Sequence, residues 1–259
     1  MKKAVGLLAV VLGLALVQPA QAVDQKALVI IDSYFDSRAV NGNVSCIVVA
    51  TSVPCTDVVK TFPTSLSDNI NHGDAMIEVA KRQNADIKII ALRSAATPPS
   101  DVNAGTFIDA LKWVDKNSSI IGAVSLSRFF NGTKPCSPAS VNTAAYGGVT
   151  GADKQIKDLI AILNNKGIRV FASTGNAPKT TVDYPACITS TMAVTSAGNA
   201  QDINTDFSAE LVRLPLLGNN FYSGLFKAIP LTTSSATAST AAQWVLSGTL
   251  TSKTVKVLA

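Results

Sequence analysis

The sequence predicts an α/β protein of three layers, a mainly parallel sheet with helices on both faces. Short continuous apolar runs, the mark of strands buried on both sides, are interleaved with longer stretches whose apolar residues recur at helical spacing. That alternation runs through most of the chain, as βαβ units require. The composition is that of a globular protein: of 259 residues, 47% are apolar and 15% charged, which excludes intrinsic disorder. The 16 Gly and 11 Pro are ordinary numbers and exclude a collagen-like or low-complexity chain. No internal repeat and no Pro- or Gly-rich linker divides the sequence, so one domain is expected, large enough to bury its own core.

The elements follow in order. Lys2 and Lys3, the uncharged run 4–17 and the A-x-A site Ala20-Gln21-Ala22 make residues 1–22 an expected secretory signal peptide. Residues 23–259 are then the exported domain, periplasmic or extracellular. Residues 26–31 (KALVII) read as a strand buried on both faces. Ala75, Met76, Val79 and Ala80 give residues 74–83 a helical stripe, and residues 86–92 (DIKIIAL) form the next strand. Phe107, Ala110, Leu111 and Val114 predict a helix over 106–116, followed by a strand at 120–126. Ile156, Leu159, Ile160 and Leu163 predict a helix over 153–165, with Gly167 as its stop signal. Short strands follow at 168–172 and 192–196. A helix rich in small residues carries Ala241, Ala242, Val245 and Leu246, and residues 247–259 alternate like an edge strand. Residues 41–56 and 94–105 read as surface loops.

Export gives the cysteines a meaning. Four of them in a secreted chain suggest disulfides, and four allow three pairings. Cys46 and Cys55 share one short stretch and are expected to pair locally, which leaves Cys136 with Cys187. No C-x-x-C occurs and the single histidine has another candidate role, so these cysteines are not expected to ligate a metal. The net charge of +5 is scattered, with no basic cluster interleaved with aromatics, so nucleic acid is not an expected partner.

Four segments carry chemistry. Asp32 ends an apolar strand, at the carboxyl edge of a parallel sheet where α/β sites form. His72, the single histidine, opens a helix through His72-Gly73-Asp74. Ser173-Thr174-Gly175-Asn176 follows another strand, and its side-chain amide is placed to donate to a developing oxyanion. Residues 232–239 (TTSSATAS) lead into the small-residue helix. Taken singly, these are also a loop aspartate, an incidental histidine, a turn and a Ser/Thr-rich stretch.

In order and setting, however, the series resembles the subtilisin-like serine proteases. Residues 29–36 (VIIDSYFD) are similar to that family's V-x-V-I-D-[ST]-G-[IV]-D strand end, and His72-Gly73 to its H-G-T-H-V-A-G helix start. Ser173-Thr174-Gly175-Asn176 resembles A-A-G-N, and Tyr184-Pro185-Ala186 the Y-P-A that follows it. Residues 192–196 (MAVTS) resemble V-I-A-V-G-A, Ser125-Leu126-Ser127 the substrate-lining S-L-G, and Asp206-Phe207-Ser208 the S-F-S segment. Residues 232–238 (TTSSATA) resemble the nucleophile motif G-T-S-M-A-[ST]-P. A register shifted by two would put Ala236 at the nucleophile and Gln243-Trp244 at the family's small Ala-Gly pair. With Ser234 as nucleophile that pair falls on Ala241-Ala242, so Ser234 is preferred. The resemblance spans residues 26–248.

It implies a secreted serine endopeptidase acting on a polypeptide substrate without a cofactor. Asp32, His72 and Ser234 would form the triad, and Asn176 would supply the oxyanion donor. Ser125, Leu126 and Ser127 would line the substrate cleft. Three positions depart from the family pattern: Tyr34 and Thr232 stand at its glycines, and Ala238 at its proline. No propeptide is expected between the signal and the first strand. The alternative these departures raise is a catalytically weak or inactive subtilase-like domain that serves binding or assembly. A periplasmic α/β binding protein is a further rival, but the duplicated lobes of that class are not visible.

Overall fold

The computed structural model describes residues 25–35, 40–55, 72–94, 104–127, 151–175, 184–186, 188, 190–196 and 233–249. It also describes the backbone of 210–214, 220–221, 229–230 and 255–257. The strands are β1 (Ala27–Asp32), β2 (Val44–Val48), β3 (Val53–Pro54), β4 (Ile89–Arg93), β5 (Ile121–Leu126), β6 (Arg169–Ser173), β7 (Met192–Ser196), β8 (Glu210–Leu214), β9 (Asn220–Phe221), β10 (Ile229–Pro230) and β11 (Val255–Val257). The helices are α1 (His72–Lys81), α2 (Ala104–Lys116), α3 (Gly151–Asn165) and α4 (Thr233–Ser247).

Nine strands form one sheet in the order β11-β8-β7-β6-β5-β1-β4-β2-β3. The seven from β8 to β2 pair in parallel. The edge strands β3 and β11 pair antiparallel. β1 lies in the middle between β4 and β5, and all six of its residues are buried. Such a strand satisfies its backbone on both sides and must be apolar on both faces, which Ala27-Leu28-Val29-Ile30-Ile31 provides.

Successive residues of β1 point to opposite layers. Val29 and Ile31 pack with Phe107 and Leu111 of α2 and with Ile156 and Ile160 of α3. Leu28 and Ile30 pack with Ala75 and Val79 of α1 and with Ala238 and Ala241 of α4. Two helices thus cover each face, the three-layer arrangement the alternation predicts. In α4 the first ten residues are all buried. Their small side chains let the helix lie close on the sheet. Thr237 and Thr240 return their hydroxyls to the carbonyls of Thr233 and Ala236, both at 2.7 Å, so these two buried hydroxyls are satisfied within the helix.

Two expectations need correction. Residues 41–56 are not a loop: they contain β2, a parallel strand inside the sheet, and β3. Val44 and Cys46 are buried while Ser45 is exposed, so a strand alternation hides in a stretch made loop-like by its polar flanks. Residues 94–105 are a loop only in part, because α2 begins at Ala104; 95–103 lie outside the described residues. The predicted C-terminal edge strand is present as β11. β8, β9 and β10 are additional to the predicted elements.

Cys46 and Cys55 form a disulfide across nine positions, and among the described residues no cysteine is free. Cys136 and Cys187 lie outside the described residues. No helix among the described residues is long and apolar enough to cross a membrane.

Candidate active site

The carboxyl ends of the parallel strands form one edge, and the row facing α1 and α4 there is polar. Arg93 of β4 is the register partner of Asp32 of β1. Ile31 pairs with Leu126 and Leu126 with Ala172, which brings Asp32, Ser127 and Ser173 abreast at the strand ends. All but Ser173 of these residues are buried.

Asp32 is fixed from several directions. One carboxylate oxygen accepts the Ser33 amide at 2.7 Å. Its main-chain carbonyl accepts both the Ser94 amide, at 2.9 Å, and the Ser94 hydroxyl, at 3.0 Å. The other carboxylate oxygen meets His72 Nδ1 at 2.5 Å. Nδ1–H is the donor in that bond, so Nε2 is left as the acceptor on the far side of the ring. The two residues are 40 positions apart in sequence, and Asp32 is fully buried while the His72 side chain is 19% exposed. A buried carboxylate holding a half-open imidazole can store the positive charge the ring takes up during proton transfer.

Gly73 makes the approach possible. A Cβ on it would stand 2.5 Å from the Tyr34 carbonyl oxygen and 2.6 Å from the Phe35 ring. The start of α1 therefore lies directly on the turn after β1, which delivers His72 to Asp32. Asp74 in the first turn complements the positive end of the helix dipole. Tyr34, which stands where the family pattern has a glycine, does not adopt a left-handed φ; among the described residues the non-glycine that does is Ser52. Tyr34 is buried, and the Arg93 guanidinium stacks 5.2 Å from its ring centroid.

Ser234 is the second residue of α4, where backbone N–H groups have no intrahelical acceptor. Its hydroxyl donates to the Ser127 carbonyl at 3.0 Å, and the Ser127 hydroxyl donates back to the Ser234 carbonyl at 3.3 Å. The neighbouring Thr233 hydroxyl lies 3.1 Å from that of Ser173, which ties the start of α4 to the end of β6. After Ser173 the chain turns through Gly175 at φ +98°, a left-handed conformation that suits glycine. The next residue, Asn176, lies outside the described residues, as do Asp36, Thr232 and residues 206–208. Of the expected cleft-lining residues, Ser125 and Leu126 are fully buried in β5, and Ser127 stands at the strand end. Tyr184-Pro185 is a cis peptide, and Tyr184 is buried. Burial, and secondarily the charge of Asp153, hold the Tyr184 phenol well above its usual pKa.

The structure thus pairs Asp32 with His72 and joins Ser234 to Ser127. It also adds residues that the sequence did not single out: Ser94 and Arg93, which bracket Asp32. Their one local signal is position, since they directly follow the predicted strand 86–92 at the carboxyl edge of the sheet. Among the described residues no group of acids, histidine and cysteines is placed to hold a metal ion.

This is the subtilisin-like α/β fold. Among solved structures the chain is similar to the self-cleaved protease domain of PatA, with TM-score 0.58 and 10% identity over 86% of this chain and 79% of that one. It is similar to the prenylagaramide maturation protease PagA, with TM-score 0.55 and 14% identity over 86% and 75%. It is also similar to the PatG macrocyclase in complex with peptide, with TM-score 0.52 and 12% identity over 88% and 79%. No protein-family model matches the chain, and no curated protein matches it in sequence.

Proposed function

We propose that the chain is an exported serine endopeptidase that hydrolyses polypeptides through Asp32, His72 and Ser234, with Asn176 as oxyanion donor. The observation that carries this reading is the 2.5 Å Asp32–His72 contact at the same sheet edge as the start of α4. Ser234 would attack the scissile carbonyl as His72 Nε2 takes its proton. The imidazolium, stabilised by Asp32, would then protonate the leaving amine, and water would repeat the sequence on the acyl-enzyme. The Ser234 amide at the helix start and the Asn176 side chain would receive the oxyanion. Three similar folds belong to peptide-processing enzymes, one of them solved with a peptide, and this supports a polypeptide as substrate. Purified protein should cleave an unstructured polypeptide. Ser234→Ala or His72→Ala should lower the rate by at least about 10⁴-fold, the scale on which triad members act as a unit. Cleavage that survives both substitutions would refute the reading.

A further inference from the structure

We infer that Ser127 is a positioning residue that holds the nucleophile in a resting orientation, an inference that rests on Ser234 being the nucleophile. A hydroxyl has one proton to donate. In this structure the Ser234 proton goes to the Ser127 carbonyl at 3.0 Å, so it is not shared with His72. The Ser127 hydroxyl closes a second bond, to the Ser234 carbonyl at 3.3 Å. The pair joins the end of β5 to the first turn of α4 across 107 positions, and each residue is only 4% exposed. In so dry a setting neither bond is readily exchanged for water. The second bond depends on the Ser127 side chain and keeps the helix turn aligned so that the first can form. Ser234 must therefore leave the Ser127 carbonyl before His72 can take its proton. An extended polypeptide lying along the β5 end brings its own N–H groups to compete for that carbonyl, which couples activation of the serine to occupancy of the cleft.

The test compares wild type, Ser127→Ala and Ser127→Gly for the rate of labelling by a small fluorophosphonate, which has no peptide N–H to open the latch, and for thermal stability. Removing the Ser127 hydroxyl should lower Tm yet raise the labelling rate about fivefold, the factor that one hydrogen bond of ordinary net strength represents. A contact with a merely structural role would lower Tm and leave labelling unchanged or slower, and that result overturns the inference. Ser127→Gly carries the same expectation should Ser127→Ala not fold. Each protein is paired with its Ser234→Ala counterpart. Label that persists there overturns the nucleophile assignment itself. Label that depends on Ser234 but is insensitive to Ser127 overturns only the latch.

Discussion

At the scale of single residues, the site depends on how closely groups are allowed to approach. Gly73 is the clearest case, because a side chain there would strike the Tyr34 carbonyl, a backbone atom that cannot swing aside. Gly73→Ala should lower stability by about 1–3 kcal/mol, as overpacking does, and push His72 away from Asp32. Denaturant unfolding together with the rate of peptide hydrolysis checks both. Tyr184 gives a pH dependence whose sign is fixed. Its folded pKa is raised above the ordinary value of 10.0, chiefly by burial. Its contribution to stability is therefore fully present below about pH 10 and lost as the pH rises, since the unfolded chain releases the phenolic proton more readily. Tyr184→Phe should flatten that alkaline loss of stability. Unfolding curves between neutral pH and pH 11 measure the effect. The motifs single out Asp32, His72 and Ser234 in the sequence. They did not reveal Ser94 or the Ser127–Ser234 pair, because hydrogen bonds spanning 62 and 107 positions leave no local pattern.

At the scale of elements, the hydrophobic period locates the helices of the described residues but starts three of them late. The stripes predict helices from 74, 106 and 153, whereas α1, α2 and α3 begin at His72, Ala104 and Gly151. Periodicity records the buried face, and a first turn built from polar or small residues falls outside it. For α1 those two residues are His72 and Gly73, which meet Asp32 and the turn after β1. β2 reads as loop in the sequence for the converse reason: its buried positions are few and one of them is a cysteine. The Cys46–Cys55 bridge fastens β2 to β3 at the sheet edge. Closing so short a loop should contribute about 2.5 kcal/mol. The double variant Cys46→Ala, Cys55→Ala should lose that amount in urea unfolding and keep the peptide hydrolysis proposed above, since Cys46 pairs with Ala91, two residues short of the Arg93 strand end. Loss of activity at unchanged stability would contradict this.

At the scale of the whole molecule, topology does what no motif can. β1 sits centrally, with α1 and α4 side by side on one face, so three segments far apart in sequence reach a common edge. The alternation of strands and helices was enough to foresee that edge, and seven parallel strands build it. The central claim is that Asp32, His72 and Ser234 operate there as one nucleophilic device. The most direct test treats the purified protein with a fluorophosphonate and maps the adduct by peptide mass spectrometry. The account predicts a single adduct on Ser234, at least about a thousandfold slower to form in His72→Ala. No adduct on Ser234 in any variant, or one that forms as fast without His72, would contradict it.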